Sequence, residues 1–324
     1  MKPHQSHTLH SGQNLKDLDN KTNFQDPLGK LTIKFTDDGS PTLESDSYNE
    51  CFHNRSSALN ETKEKFTTPS ELYRYKEGKT IYVLDICIGM GYNTACLIEE
   101  IIKNGQQLDW YGLEIDKRPL VHALTIGLYK SYWSKNVCNI LKSISQNNRW
   151  STDIGKGEIF WGDARKMIDN IPKTKKFDVI MLDPFSPQKC PQLWSKEFLQ
   201  KVVQLLSKSG RVITYSSSAA LRKSLRETGL EIISRAPLKS ERSKWSSGTV
   251  ALHTNENNIN EINKEFLKQL SQMEEEHLLT KASIPYRDPT GSLTAKEIKK
   301  QRKIEQSESV LESTTRWKAR WGIR

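Results

Sequence analysis

The sequence predicts an α/β fold: a seven-stranded, mostly parallel sheet with helices on both faces, an N-terminal hairpin and helix, and a C-terminal helical extension. Three observations predict it. Apolar, β-branched runs such as TIYVLDICIG (from Thr80) and FDVIML (from Phe177) alternate with helix-like segments, the pattern of βαβ units on a parallel sheet. Several of these runs are apolar throughout, as strands buried on both faces must be. Acids recur where the runs end, at Asp85, Glu114, Asp163 and Asp183.

Taken in order, residues 1–28 are polar and without periodicity, and are expected to form a disordered tail. Residues 29–79 read as a hairpin and helix cap. Asp38-Gly39 supplies a tight turn inside LTIKFTDDGSPTLES, and Tyr48 to Glu77 reads as helical, with Leu59, Thr62, Lys65 and Phe66 within a turn or two of one another. Residues 80–255 carry the sheet. TIYVLDICIG, QLDWYGLEID, GEIFW, KFDVIMLDPF and RVITYSS read as five strands, and LEIISRAP and GTVALHT as two more. Between them lie helices over NTACLIEEIIKNG, KRPLVHALTIGLYKSYW, KEFLQKVVQLLSKSG (stopping at Gly210) and AALRKSLRETG. Residues 256–324 form a charged, helix-prone extension with two late tryptophans, Trp317 and Trp321.

The 324 residues are 35% hydrophobic, with a mean hydropathy of -0.68, which suits a packed centre with polar ends. Forty-nine Lys and Arg against 39 Asp and Glu leave a formal charge of +10. Such a surface favours a polyanionic partner, since each neutralised phosphate releases counterions, although solvated basic helices give the same total. No apolar run approaches the ~18–20 residues of a membrane span, and the first residues lack the apolar core of a signal peptide. Five scattered cysteines without a C-x-x-C pair argue for a reducing, cytoplasmic setting and against a zinc site. His4, His7 and His10 sit in the polar tail, where they form no specific metal site. The sequence assigns no oligomeric state.

Ligands of an open α/β sheet bind at the carboxyl ends of its strands, so the strand-end residues carry the chemistry. Gly89 and Gly91, after Asp85, let backbone approach a ligand closely, although a plain strand-to-helix turn also explains them. Glu114 can accept both hydroxyls of a ribose, a role found in NAD and S-adenosylmethionine sites alike. Asp163 stands where an adenine amino group would lie. No G-x-x-x-x-G-K-[ST] is present, which argues against nucleotide hydrolysis. In LDPFSP, Asp183 can accept a hydrogen bond from an amine poised for alkylation, and Phe185 can stack on a flat heterocycle between two rigid prolines. Trp194, further along, reads as an apolar plug.

The motifs DICIGMGYN, YGLEID, GDAR and LDPFSPQKCPQLW, with the hairpin TDDGSPTL and the segment Glu50–Thr62, resemble the methyltransferase half of MnmC and its stand-alone form, MnmD. The likeness runs from about Thr32 to Thr254. It implies a Rossmann-like class I methyltransferase fold, S-adenosyl-L-methionine as cofactor, and a tRNA anticodon arm as partner. The implied reaction is N-methylation of a wobble-uridine aminomethyl group to give 5-methylaminomethyl-(2-thio)uridine. By the same likeness Asp85, Gly89 and Gly91 line the methionine end of the cofactor, Glu114 holds the ribose, and Asp163 with Ala164 the adenine. Asp183 and Phe185 face the target base, and Glu61 closes the site. Two positions depart from the family pattern: Pro184 stands where a small residue is usual, and Ser57 where glycine precedes Ala58. Another methyltransferase substrate, aminopropyl transfer, or an RNA-binding protein on the same scaffold are the competing readings.

Overall fold

At Asp38-Gly39 the chain turns with Gly39 at φ +82°, a conformation glycine adopts without strain. The turn pairs β1 (Leu31–Phe35) with β2 (Pro41–Ser45) in antiparallel register, Ile33 opposite Leu43. The computed structural model describes residues 28–236, 246–254 and 262–323. The tail up to residue 27, with its three histidines, and the basic residues Lys239, Arg242 and Lys244 lie outside the described residues.

Tyr48 to Glu77 is not one helix. The short β3 (Glu50–Cys51) extends the hairpin into a three-stranded sheet. A helix over Ala58–Thr62 then starts on the Ser57 side chain, widens into a π-turn over Lys63–Thr67 and ends in a turn over Thr68–Ser70. Pro69 has no N–H for the carbonyl four residues back, which breaks the α-helical ladder there.

Among the described residues the main sheet has nine strands, two more than the sequence predicts. They are β4 (Thr80–Ile86), β5 (Gln107–Glu114), β6 (Arg149–Thr152), β7 (Gly155–Trp161), β8 (Phe177–Leu182), β9 (Leu206–Thr214), β10 (Leu230–Arg235), β11 (Thr249–His253) and β12 (Leu267–Gln269). Their order is β12-β10-β11-β9-β8-β4-β5-β7-β6. The five strands from β9 to β7 run parallel, while β11 enters antiparallel to β9. The two unpredicted strands, β6 and β12, are edge strands too short and polar to announce themselves. All six residues of β8 are buried, as a central parallel strand requires. The architecture is the Rossmann-like class I methyltransferase fold.

Two helices differ from expectation. KRPLVHALTIGLYKSYW breaks at Ile126, whose backbone is extended, and a further helix, Lys135–Asn147, starts on a Ser134 cap. The segment ending at Gly210 leaves its helix at Gln204 and becomes β9. Gly210 is there for close approach rather than to stop a helix: a Cβ on it would lie 2.5 Å from the Phe177 carbonyl oxygen.

The C-terminal extension packs onto this sheet. Trp317 is buried and stacks on His277 with ring centres 4.2 Å apart. Ile298 is fully buried, and Arg302 donates to the carbonyls of Ala282 and Ile284 while lying over the Tyr286 ring.

Candidate active site

Strands β4 and β8 are neighbours, yet the chain leaves β4 toward β5 on one side and leaves β8 toward β9 on the other. This reversal opens a crevice at the strand ends. It has a volume of about 390 Å³ and is roofed by the N-terminal hairpin and helix.

After β4 the chain makes a tight turn in which Cys87 (φ +68°) and Gly89 (φ +52°) take left-handed conformations. A β-carbon on Gly89 would lie 3.0 Å from the Phe52 ring, so this backbone sits flush with the crevice wall. The Gly89 N–H donates to Glu114 Oε2 at 2.9 Å, while Ile115 and Asp116 donate theirs to Oε1. Burial still pushes the Glu114 carboxyl above its usual range, against these three donors. Asp163 caps the Ala164–Met167 turn and is gripped by Arg165. Burial would raise Asp163, but the Arg165 hydrogen bonds and charge outweigh it and hold the carboxyl low.

Asp183, at the end of β8, is partly buried and accepts from Asn93 Nδ2 at 2.7 Å. Thr62 from the roof donates to the Asn93 oxygen at 2.9 Å and so orients the amide. Burial, with the Glu61 charge second, pushes the Asp183 carboxyl well above the ordinary range. Glu61 accepts from Asn54 N and from Lys65 Nζ, and so faces the crevice in a fixed pose. The Phe185 ring is not free on both sides: Tyr48 stacks on it at 4.2 Å and Phe52 meets its edge at 5.0 Å. Trp194 is buried and donates to the Phe185 carbonyl, consistent with a plug.

The fold therefore brings Glu61, Gly89, Glu114, Asp163, Ala164, Asp183 and Phe185 to one crevice. Asp85 and Gly91 do not line it. Gly91 begins the Tyr92–Lys103 helix at φ +82°, and a β-carbon there would strike Leu120. Asp85 is fully buried beneath the turn, taking a 2.6 Å bond from Thr94 at one oxygen while the other has no hydrogen-bond partner among the described residues. Sequence reasoning gave no role to Asn93, Arg165 or Tyr48. Asn93 lies two residues past the second glycine and could have been sought in the first helical turn, whereas Tyr48 carries no local signal. Among the described residues no group of three or more His, Cys, Asp or Glu side chains could hold a metal ion, and no helix is long and apolar enough to cross a membrane.

Burial, opposed by Thr94 and aided by Glu114, pushes the Asp85 carboxyl from 3.8 up to about 7. Across that window the folded chain holds a proton that the unfolded chain releases, so stability falls as pH rises through it. We expect the Asp85 carboxyl to contribute about 4 kcal/mol of this decline between the two limits, so Asp85→Asn should lose about that much less than wild type, the raised Glu114 and Asp183 carboxyls acting alike in both. Urea titrations at a pH near 3.8 and at a pH above about 7 measure it, and equal declines in both proteins would refute it.

Comparison with known proteins extends these observations. Residues 128–250 match a family described as S-adenosyl-L-methionine-dependent methyltransferase. The structure superposes on MnmC2 from Aquifex aeolicus with a TM-score of 0.69 at 24% identity, covering 86% of each chain. An uncharacterized Methanocaldococcus jannaschii protein is 25% identical over 90% of this chain and 76% of its own length. The Pseudomonas aeruginosa protein named "tRNA 5-methylaminomethyl-2-thiouridine biosynthesis bifunctional protein MnmC" is 22% identical over 67% of this chain, which spans 34% of that protein.

The crevice suits S-adenosylmethionine. Its carboxylates complement a sulfonium cation, Gly89 leaves room for backbone contact, and Asp85 keeps an unsatisfied oxygen beneath the turn. The chain is an enzyme, an S-adenosylmethionine-dependent methyltransferase of class I fold.

Proposed function

We propose that the chain N-methylates the aminomethyl group on a tRNA wobble uridine, giving 5-methylaminomethyl-(2-thio)uridine. The observation that carries this reading is Asp183, an acid of raised pKa held by Asn93 at the wall of the crevice. The printed name of the MnmC relatives points to the same modification.

In this reading Glu114 holds the cofactor ribose, and Asp163 with Ala164 the adenine. Gly89 shapes the methionine end, with Asp85 supporting that turn from below and Gly91 starting the helix behind it. When bound, S-adenosylmethionine supplies an electrophilic methyl group. Asp183 Oδ2 is occupied by Asn93, so Oδ1 orients the neutral amine and takes the proton released on methylation. Its raised pKa makes Asp183 a stronger proton acceptor than an ordinary carboxylate. Phe185, backed by Tyr48, presents its remaining surface to the target base, and Glu61 closes the site from the roof. A wobble base already lies in a loop, so splaying it into a pocket costs little.

A basic track supports an anticodon arm as partner. On the Ala295–Glu308 helix, Lys296, Lys299, Lys300 and Lys303 share one exposed stripe. Lys299 donates to the Gln188 carbonyl, in the loop that follows Asp183. Among the described residues none of the four forms an ion pair, whereas Arg226, Arg287 and Arg320 all do. Lysines without a carboxylate partner, beginning at the crevice loop, suit phosphates.

The test is transfer of a labelled methyl group to hypomodified tRNA carrying the aminomethyl uridine. Label in the anticodon-loop fragment is expected. Label in a protein extract with none in this tRNA would overturn the substrate assignment.

A further inference from the structure

One arginine ties the crevice to the C-terminal extension. Arg165 Nε and Nη2 grip both oxygens of Asp163, with Nη2 2.6 Å from Oδ2. Its remaining nitrogen, Nη1, donates to Asp288 Oδ2 at 2.6 Å and to the Leu293 carbonyl at 2.9 Å. Asp288 is only 1% exposed. Its Oδ1 accepts the N–H groups of Ser292 and Leu293, and its own N–H goes to Glu197 at 2.7 Å.

The two carboxylates differ in freedom. The Asp163 side chain is 28% exposed and lines the crevice, whereas Asp288 is locked into a turn with every oxygen bonded. A planar guanidinium that is bidentate on one acid and anchored by a second has its orientation set by the anchored one. Beyond its local cap on the Arg165 N–H, at 3.0 Å from Oδ1, the direction in which Asp163 presents its carboxylate is thus held, through the guanidinium, by a residue 125 positions later, outside the crevice.

We infer that Asp288 is a positioning residue for the cofactor: through Arg165 it fixes Asp163 at the adenine end of the crevice. The inference rests on the proposal that Asp163 faces the adenine. It also gives the C-terminal extension a part in the site.

Asp288→Asn isolates this link. The amide oxygen still accepts the Ser292 and Leu293 N–H groups, while an amide N–H turned toward Arg165 cannot bond it. Calorimetric titration with S-adenosylhomocysteine should show roughly tenfold weaker binding, the size of one lost charged hydrogen bond. In an Arg165→Met background, Asp288→Asn should add no further loss. Arg226→Gln, which releases the exposed Glu275 pair elsewhere on the extension, should leave affinity at the wild-type value, separating positioning from a loosened tether.

If Asp163→Asn weakens binding and Asp288→Asn does not, Asp288 only fastens the extension and the inference is wrong. If Asp163→Asn itself has no effect, the adenine-end assignment fails, and this inference with it. Should Asp288→Asn fold too poorly to titrate, Arg165→Lys reads the same link, because an ammonium cannot bridge both carboxylates. Wild-type affinity in that variant would overturn the inference.

Discussion

Asp183→Asn should lower methyl transfer to aminomethyl-uridine tRNA by roughly 10²–10⁴-fold, the usual contribution of a positioned proton acceptor. Asparagine keeps the shape and can still accept the Asn93 hydrogen bond, but it cannot take the proton. Binding of S-adenosylhomocysteine should therefore persist. The pH profile provides a second reading. Burial and the Glu61 charge hold Asp183 above the ordinary carboxylate range, so the acid limb of the rate should be displaced upward from that range. In the asparagine variant that limb should vanish, leaving only the titration of the amine. Stability moves the other way. A raised carboxyl pKa disfavours the folded state once pH exceeds the unfolded value, so the variant should be at least as stable as wild type under alkaline conditions. Equal methylation rates in the two proteins would remove Asp183 from the chemistry.

The largest stability loss is expected from Glu274→Ala. Glu274 Oε1 meets Arg222 Nη1 at 2.8 Å, with the two side chains 3% and 1% exposed. Arg222 also bonds Thr249 Oγ1, Ser246 Oγ and the Gly248 carbonyl, while Glu274 takes Ser234 Oγ. The pair thereby joins the β10–β11 hairpin to the extension. Removing the carboxylate strands a buried guanidinium, a loss of about 3–5 kcal/mol. Burial works against Glu274 ionising, but Ser234, Ser271 and Arg222 prevail and its pKa is lowered. Its contribution is thus complete above the ordinary value of 4.5 and disappears as pH falls through the lowered folded value. Chemical denaturation of wild type and variant at neutral pH measures the difference, and a loss below about 1 kcal/mol would refute this account.

How much of this could be read from the residues depended on whether the signal was local. Uniformly apolar runs such as FDVIML declared central strands, because burial on both faces leaves no polar alternation. The acids ending β5, β7 and β8 meet because strand ends of a parallel sheet share one edge. Asp85 follows the same pattern but points beneath the turn, a side-chain direction that spacing does not encode. SKSG misled because its composition suits a helix end, while pairing with β8 and a bulge near Phe177 decided for strand. The Tyr48 stack on Phe185 and the Arg165 bridge to Asp288 join residues 137 and 123 positions apart. A single sequence holds no local trace of such pairings.

The Arg165–Asp288 bridge also has a bearing on biosynthesis. Every acid lining the crevice has been translated by Asp183, yet the guanidinium beside Asp163 lacks its anchor for another hundred residues or so. A nascent chain paused in that interval would carry the crevice acids without their full alignment. Ligand capture should therefore be a late event in the maturation of this polypeptide, following docking of the segment around residue 288 rather than completion of the sheet.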